Sequence, residues 1–440
     1  MGRDRFQIAG TAGRRSRPEV PRRRGLEERS MRSRMKQGSA RGGRALSRRR
    51  ILAAAAAVMI VKPSAVYSAA ATARVRLGVV GCGGRGQWIA DLFRKHGGYE
   101  ITAVADYFAR TAQRAGEALG VAENRRFSGL AGYKRLLDSG VDAVALETPP
   151  CFFPEHAQAA VAAGCHVYMA KPVACDVPGA LSVRRWGQAA SQKKLCFLVD
   201  FQIPTDPLWQ EAVKRVRDGA LGRIAMISSY YTDESFPDPP RGDTIEGRLH
   251  SLIWCNDNDI GGGYFVNAGI HAIQAALWVA GGATPVAAVG MSRRGRRDPH
   301  GDSDDVFSIS YEFADGLILN HRGEHIQNMH GFSAGLHAWG QGAYMEGNYE
   351  GRTWLRGGPK GFAGGEVRGL YGAGAQRNIA EFHRCISEGV FDNRTVADGV
   401  DSTLACILGR DAAAARSRLT WDEMIKANRR IEVDLRGLAQ

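Results

Sequence analysis

The sequence has no C-x-x-C pair and no cysteine at metal-ligand spacing from a histidine, although it holds eight cysteines. A zinc site is therefore not expected, and no other metal is implied. The cysteines, at 82, 151, 165, 175, 196, 255, 385 and 406, fall in apolar segments and read as mostly buried thiols. One or two disulfides stay open, with nothing in the spacing to pair them. An apolar run of membrane-spanning length is also missing: the stretch Ile51–Val61 has 11 residues, against about 20 for a span. No internal repeat is evident. After residue 73 no basic helix or aromatic-interleaved basic patch occurs, which argues against nucleic acid as a partner.

Charge of one sign is absent from most of the chain. The formal net charge is +14 over 440 residues, yet residues 1–73 alone hold 18 basic against 4 acidic residues, and the remainder is neutral with 41 of each. A surplus confined to one end marks a leader and says nothing of the folded body's partners. Ser47-Arg48-Arg49-Arg50-Ile51-Leu52 runs into Ile51–Val61, then Lys62-Pro63 and the small residues Ala71-Thr72-Ala73. A charged region, a modest apolar region and an A-x-A site make a signal peptide, and the paired arginines read as a twin-arginine signal. Residues 1–73 are thus expected to direct a folded protein to the periplasm or outside the cell.

At Arg74–Val80 (RVRLGVV) an apolar run fits a buried parallel strand. It feeds Gly81-Cys82-Gly83-Gly84-Arg85-Gly86, a G-x-G-x-x-G, then a helical stretch from Gln87 to about Lys95 and a second strand, Glu100–Ala105, ending in Asp106. The first glycine permits the tight turn, the second lets backbone approach a pyrophosphate, and the third lets helix pack on strand. The helix N-terminus faces the phosphates, and Asp106 is placed to accept from the adenosine ribose hydroxyls. A carboxylate there repels a 2′-phosphate, so NAD is expected; Arg110, one turn on, keeps NADP as an alternative. Strand–helix alternation continues through Val141–Glu147, Glu155–Ala163 and Cys165–Met169. The fold class is an α/β Rossmann doubly wound parallel sheet over 74–172. Its ligand rim holds Thr148-Pro149, His156 and Lys171-Pro172.

At these residues the chain resembles the Gfo/Idh/MocA family, which includes glucose–fructose oxidoreductase and inositol dehydrogenase. Lys171-Pro172 matches the end of its Glu-Lys-Pro motif, and Pro149-Pro150 and His156-Ala157 are similar to its next turn and helix opening. Gly261-Gly262-Gly263, followed by Asn267-Ala268-Gly269-Ile270-His271, resembles its G-G-G and D-x-G-x-H motif. The tail from Asn378 to Ile425 looks like the exported branch, so the resemblance spans about residues 74–425. It implies catalytic roles for Lys171 and His271, substrate contacts from Asn267 and His156, and a homo-oligomer, a dimer or tetramer. The cofactor set is Gly81, Cys82, Gly83, Gly84, Arg85, Gly86, Asp106, Thr148, Pro149, Lys171 and Pro172. Ala170, Asn267 and Gln274 depart from the pattern, each standing where the family has an acid. Asn267 can hydrogen-bond a hydroxyl but cannot act as a base.

The chemistry of the residues agrees with that resemblance. Oxidising a secondary alcohol needs a hydride acceptor and a base within reach of the hydroxyl proton. A strand-rim lysine can stabilise developing alkoxide charge, and a histidine can exchange the proton near neutral pH.

Beyond Pro172, Leu195–Gln202 still reads as a strand. Ile224–Tyr231, Val286–Met291, Val306–Phe313 and Leu317–Arg322 follow as strands, the last two joined by Ala314-Asp315-Gly316. Residues 173–425 are expected to form an α+β domain with a large, mainly antiparallel open sheet, its C-terminal helices returning to the Rossmann domain, and 426–440 a tail. Between Gly331 and Gly374 lie 14 glycines in 44 residues, about four times background. Trp339, Tyr344, Tyr349, Trp354 and Tyr371 stand among them, as loops presenting aromatics to a sugar or as plain edge turns. The expected activity is NAD(P)-dependent oxidoreduction of a sugar, sugar derivative or cyclitol. Its rivals are a redox-neutral NAD-dependent glycosidase or lyase with a tightly held, recycled cofactor, and a non-catalytic sugar-binding protein.

Overall fold

The computed structural model describes residues 74–234, 244–250, 253–296 and 301–440; the expected leader, 1–73, lies outside them. The first domain is a six-stranded parallel sheet in the order β3-β2-β1-β4-β5-β6. Its strands are β1 (Val75–Val80), β2 (Tyr99–Asp106), β3 (Arg126–Ser128), β4 (Ala143–Leu146), β5 (His166–Ala170) and β6 (Phe197–Asp200). Every residue of β4 and β6 is buried, because helices cover both faces and no side of a central strand meets water. The helices are α1 (Gly84–His96), α2 (Ala109–Leu119), α3 (Gly132–Asp138), α4 (Phe153–Ala162) and α5 (Val177–Gln192). Strand order reverses between β1 and β4, and the crevice beyond their carboxyl ends is where such sheets take ligands.

The boundary expected at Pro172 moves. β6 pairs with β5 in register Ala170↔Asp200, so the first domain runs to about Phe201. The apolar run at 195–202 belongs to the parallel sheet because α5 carries the chain back across it as one more right-handed crossover.

After α6 (Pro207–Arg217), the second sheet has nine strands in the order β14-β13-β12-β11-β7-β10-β9-β8-β15. They are β7 (Ile224–Asp233), β8 (Ala287–Arg293), β9 (Val306–Glu312), β10 (Ile318–His325), β11 (Ser333–Gly340), β12 (Tyr344–Asn348), β13 (Gly351–Arg356), β14 (Phe362–Val367) and β15 (Leu419–Thr420). All neighbours are antiparallel except β7 and β10. Burial alternates along β9 and β10, the pattern of a sheet with one covered face. Gly316 takes φ +84° in the β9–β10 turn, where the Asp315 carboxylate accepts from the Leu317 amide.

Helix α7 (Ile270–Val279) lies on the covered face of this sheet, with α8 (Leu370–Glu388) and α9 (Arg394–Ala415) returning to the first domain before the short α10 (Trp421–Ala427). Phe382 of α8 packs edge-on to Tyr168 and Phe93, and the Tyr99 hydroxyl donates to the Ile379 carbonyl at 3.1 Å. The last residues run back along the first domain: the Leu130 amide donates to the Ala439 carbonyl at 2.9 Å, and Leu438 is buried. Among the described residues no helix is long and apolar enough to cross a membrane.

All eight cysteines are free. Cys196 and Cys385 belong to one apolar cluster, and their thiols are in side-chain hydrogen-bond contact. Mild oxidation with diamide is expected to join this pair ahead of the others. The check is an intact mass lower by two hydrogens, with a cross-linked peptide holding both residues; a bridge elsewhere refutes it.

Candidate active site

The crevice at the strand reversal opens into a cavity of about 1210 Å³, larger than the ~300–1,000 Å³ of a single small-ligand site. Gly81, Gly83, Gly84 and Asp106 line one part; Lys171, Asn267 and His271 line another.

Gly81 turns at φ +91°, and a Cβ there would stand 2.6–2.7 Å from the main chain of Glu147 and Thr148. A Cβ on Gly86 would stand 1.8 Å from the Gly81 carbonyl oxygen. Only glycine fits at either place. Gly83 and Gly84 are different: a Cβ on either meets nothing within 4 Å, so both present bare backbone to the cavity. Helix α1 begins there with no side-chain cap and no acidic residue in its first turn. Its leading amides are left for an anion, as a pyrophosphate requires.

The Asp106 carboxylate accepts from the Cys82 amide at 2.7 Å and the Phe108 amide at 2.9 Å. Each oxygen keeps acceptor capacity for a ribose hydroxyl. Burial raises the Asp106 pKa, against the amides and the nearby His250. His250 stacks on Phe108 with ring centroids 4.0 Å apart, and it, Leu249 and Trp254 wall the cavity beside Asp106. The residues therefore fit a dinucleotide. Arg110 is exposed and outside the lining.

Three of the expected cofactor residues do not face the cavity. The Cys82 thiol turns inward to the carbonyls of Val79 and Ala105, and only its backbone serves the loop. Gly86 and Pro172 are buried outside the lining. Arg85 lines the cavity, but its guanidinium turns under the loop rather than toward a phosphate. It forms an ion pair with Glu147 at 2.9 Å, outside hydrogen-bond alignment, and a second with Asp200 at 2.5 Å. It also donates to the Tyr371 hydroxyl at 2.6 Å. Both carboxylates have fully buried side chains, and burial pushes Glu147 up to about 7 despite Arg85.

Lys171 follows β5 and donates from Nζ to the Asn267 carbonyl at 2.8 Å. Phe265–Gly269 is a single π-helical turn ahead of α7, a distortion often found at functional sites. Asn267 thus holds Lys171 through its main chain, while the residue also lines the cavity. Burial, then Arg85, lowers Lys171 to about 8. His271 stands in the first turn of α7 among the rings of Tyr349, Phe201 and Tyr231, at 5.6–6.2 Å between centroids. Its Nδ1 has no hydrogen-bond partner among the described residues. Burial, then Lys171 and Arg85, holds its pKa well below the usual value, so the ring is neutral near pH 7.

His156 also lines the cavity, its Nδ1 3.2 Å from the Thr148 hydroxyl and its ring 4.2 Å from that of Tyr133. Burial takes it down to about 3, so it is neutral. The glycine-rich stretch splits its aromatics. Tyr349 and Tyr371 line the cavity with Phe332, whereas Trp339, Tyr344 and Trp354 cluster elsewhere on β11–β13. Sequence reasoning assigned no role to Glu147, Asp200, Tyr231 or Phe332. The two acids were visible only as strand-end residues, and nothing local ties Tyr231 or Phe332 to His271.

The sequence model described as "Oxidoreductase family, NAD-binding Rossmann fold" matches residues 75–201, and that of the "GFO/IDH/MocA C-terminal domain" matches residues 209–331. The first domain is thus an NAD-binding Rossmann domain. A dTDP-3,4-didehydro-2,6-dideoxy-alpha-D-glucose 3-reductase of Actinomadura kijaniata is 28% identical over 207 residues, 46% of this chain and 55% of that protein. Inositol 2-dehydrogenase 3 of Saccharopolyspora erythraea is 30% identical over 192 residues, 42% of this chain and 55% of that protein. The chain spans about half the length of these curated relatives. Levoglucosan dehydrogenase, solved with NADH and levoglucosan, shares the fold with a TM-score of 0.64 at 19% identity, covering 79% of this chain and 99% of that one.

Proposed function

This chain belongs to the Gfo/Idh/MocA family of oxidoreductases, and we propose that it moves a hydride between NAD and a secondary alcohol or ketone carbon of a sugar, sugar derivative or cyclitol. The observation that carries this reading is the meeting of Lys171 and His271 on one wall of the cavity that also holds the glycine loop. The named activities of the relatives, a keto-sugar reductase and an inositol dehydrogenase, support a carbohydrate substrate.

Bound NAD supplies the hydride acceptor or donor. Lys171, lowered to about 8, takes the carbinol proton as the neutral amine and polarises a ketone as the ammonium. Neutral His271, which lines the same cavity, offers a ring nitrogen to that hydroxyl. Tyr231, Tyr349 and Phe332 give the sugar apolar faces and exclude water. Oxidation should therefore speed up as pH rises through about 8, and ketone reduction should slow. His271→Asn is expected to lower kcat about a hundredfold with NAD affinity unchanged; unaltered kcat removes His271 from the reaction.

A second reading keeps NAD bound and recycled within a redox-neutral glycosidase or lyase. It is favoured by the walls beside Asp106, where Leu249, His250 and Trp254 of the second half meet Phe108 of the first, an enclosure that would slow cofactor exchange. Export by the twin-arginine signal belongs to the same proposal, since free NAD is scarce outside the cytoplasm. So does assembly as a dimer or tetramer, which light scattering would read directly. The deciding experiment purifies the protein, assays co-purifying NAD(H), and offers free sugars, cyclitols and aryl glycosides separately. Net nicotinamide reduction supports the dehydrogenase, and glycoside cleavage without it supports the second reading. Absence of any NAD binding sinks both.

A further inference from the structure

We propose that Arg85 is a positioning residue that sets the proton affinity of Lys171 by claiming the two buried carboxylates beside it, Glu147 and Asp200. The role given to Lys171 rests on the reading above; the clamp itself is a matter of charge placement and is tested without substrate.

The parallel register delivers the cluster. Leu146 pairs with Met169 and Ala170 with Asp200, so the carboxyl ends of β4, β5 and β6 set Glu147, Ala170-Lys171 and Asp200 side by side. The middle position carries only a methyl group, and the Arg85 guanidinium reaches the acids on both sides of it. The other oxygen of Asp200 is occupied too, accepting from Asn378 at 2.6 Å and Gln202 at 3.0 Å. Among the described residues Lys171 pairs with no carboxylate, and the Asn267 carbonyl is its hydrogen-bond acceptor. The charged and titratable groups that face it are Arg85, Glu147, Asp200, Cys255 and His271.

The charge of the clamping residue matters. Arginine does not deprotonate in proteins, so its charge stays beside both acids at every working pH. Were the acids free, the lysine would pair with one of them and stay an ammonium through the neutral range, unable to accept a proton. With Arg85 in place, Lys171 is the cation of the row whose charge changes near neutrality, at about 8, next to Glu147 at about 7. Burial and then Arg85 lower Lys171, against Cys255, Asp200 and Glu147, which raise it. Because Arg85 lies within the glycine loop, the segment that cradles the dinucleotide also tunes the proton-handling amine. Tyr371 completes the hold: it accepts from Arg85 and stacks on Trp88 at 4.7 Å, with the guanidinium 5.5 Å from both ring centres.

The test titrates Lys171 directly. Pulse acetylation with acetic anhydride across pH 6–11 (roughly the range that brackets a lysine), read on the peptide containing Lys171, gives its inflection in the full-length protein. The native protein should inflect near 8. Arg85→Gln should raise the inflection by about one unit or more, since it removes a cation and frees two anions. Arg85→Lys, which keeps the charge, should stay close to the native value. Glu147→Gln should move it down, and gives the same test if Arg85→Gln does not fold. An unmoved inflection in Arg85→Gln, an Arg85→Lys shift as large as that of Arg85→Gln, or an upward shift in Glu147→Gln overturns the clamp. Expected shifts with no sugar or cyclitol turnover uphold the clamp and sink the functional reading; turnover with unmoved inflections does the reverse.

Discussion

Replacing Lys171 by methionine is expected to lower turnover about a thousandfold while leaving NAD affinity within about threefold, the signature of a lost proton-transfer group. Methionine keeps the length of the side chain, so the cavity wall stays filled. What goes is the donor to the Asn267 carbonyl and a charge beside Glu147 and Asp200. Leaving that carbonyl unpaired costs about 1–3 kcal/mol, tolerable for a chain with two full cores. The separation of kcat from NAD binding is the informative part, because Lys171 meets the second half of the protein through Asn267, whereas the phosphate cradle is made by Gly83, Gly84 and the start of α1. Turnover assays with NAD titrations by fluorescence decide it. A variant that keeps a tenth of native turnover rules Lys171 out as the proton acceptor. The pH profile adds a second check, since the variant should lose the rise through about 8 that Lys171 supplies.

The parts of this protein that were legible in its sequence are those written by neighbours in the chain. The run RVRLGVV, the glycine loop and Asp106 follow one another within about thirty residues, and each constrains the next. The turn needs glycine, the helix follows the turn, and the second strand brings its acid back beside the first. The same local logic read Ala314-Asp315-Gly316 as a hairpin turn. What stayed hidden depends on partners far away in sequence. Arg85 looks like a phosphate ligand because it sits in a phosphate loop; its true partners include Asp200, 115 residues on. Lys171-Pro172 looks like the end of the first domain, whereas only the sheet shows that one more crossover follows and brings β6 into it. The rings around His271 come from residues 201, 231 and 349, and no periodicity links three such positions. The glycine-rich stretch promised aromatics for a ligand. Strand alternation and turn placement delivered Tyr349 and Tyr371 to the cavity and sent Trp339, Tyr344 and Trp354 elsewhere.

Two single-methyl substitutions in the glycine loop should part company, and together they test the dinucleotide cradle. Gly86→Ala places its Cβ 1.8 Å from the Gly81 carbonyl oxygen and 2.9 Å from the carbonyl carbon. Both obstacles are main chain, and Gly81 is itself held by its amide's 2.8 Å bond to Ala105 and by its φ of +91°. The strand cannot yield, so α1 must lift away from β1, taking its leading amides with it. Overpacking of this kind costs about 1–3 kcal/mol of stability. NAD affinity should fall about a hundredfold or more, equivalent to about 2.8 kcal/mol. Gly83→Ala is the contrast. Its backbone, φ −68° and ψ −170°, suits any residue, and its Cβ meets no protein atom within 4 Å. The folded protein should keep its melting temperature to within about 2 °C. Yet the methyl would stand where backbone must approach the pyrophosphate, so NAD affinity should still fall at least about tenfold. Thermal unfolding and NAD titration of the two variants thus give a two-by-two outcome: Gly86→Ala loses both properties, Gly83→Ala only one. If Gly83→Ala binds NAD as well as the native protein does, the phosphates do not lie against this loop, and the assignment of the cavity's two ends has to be reversed.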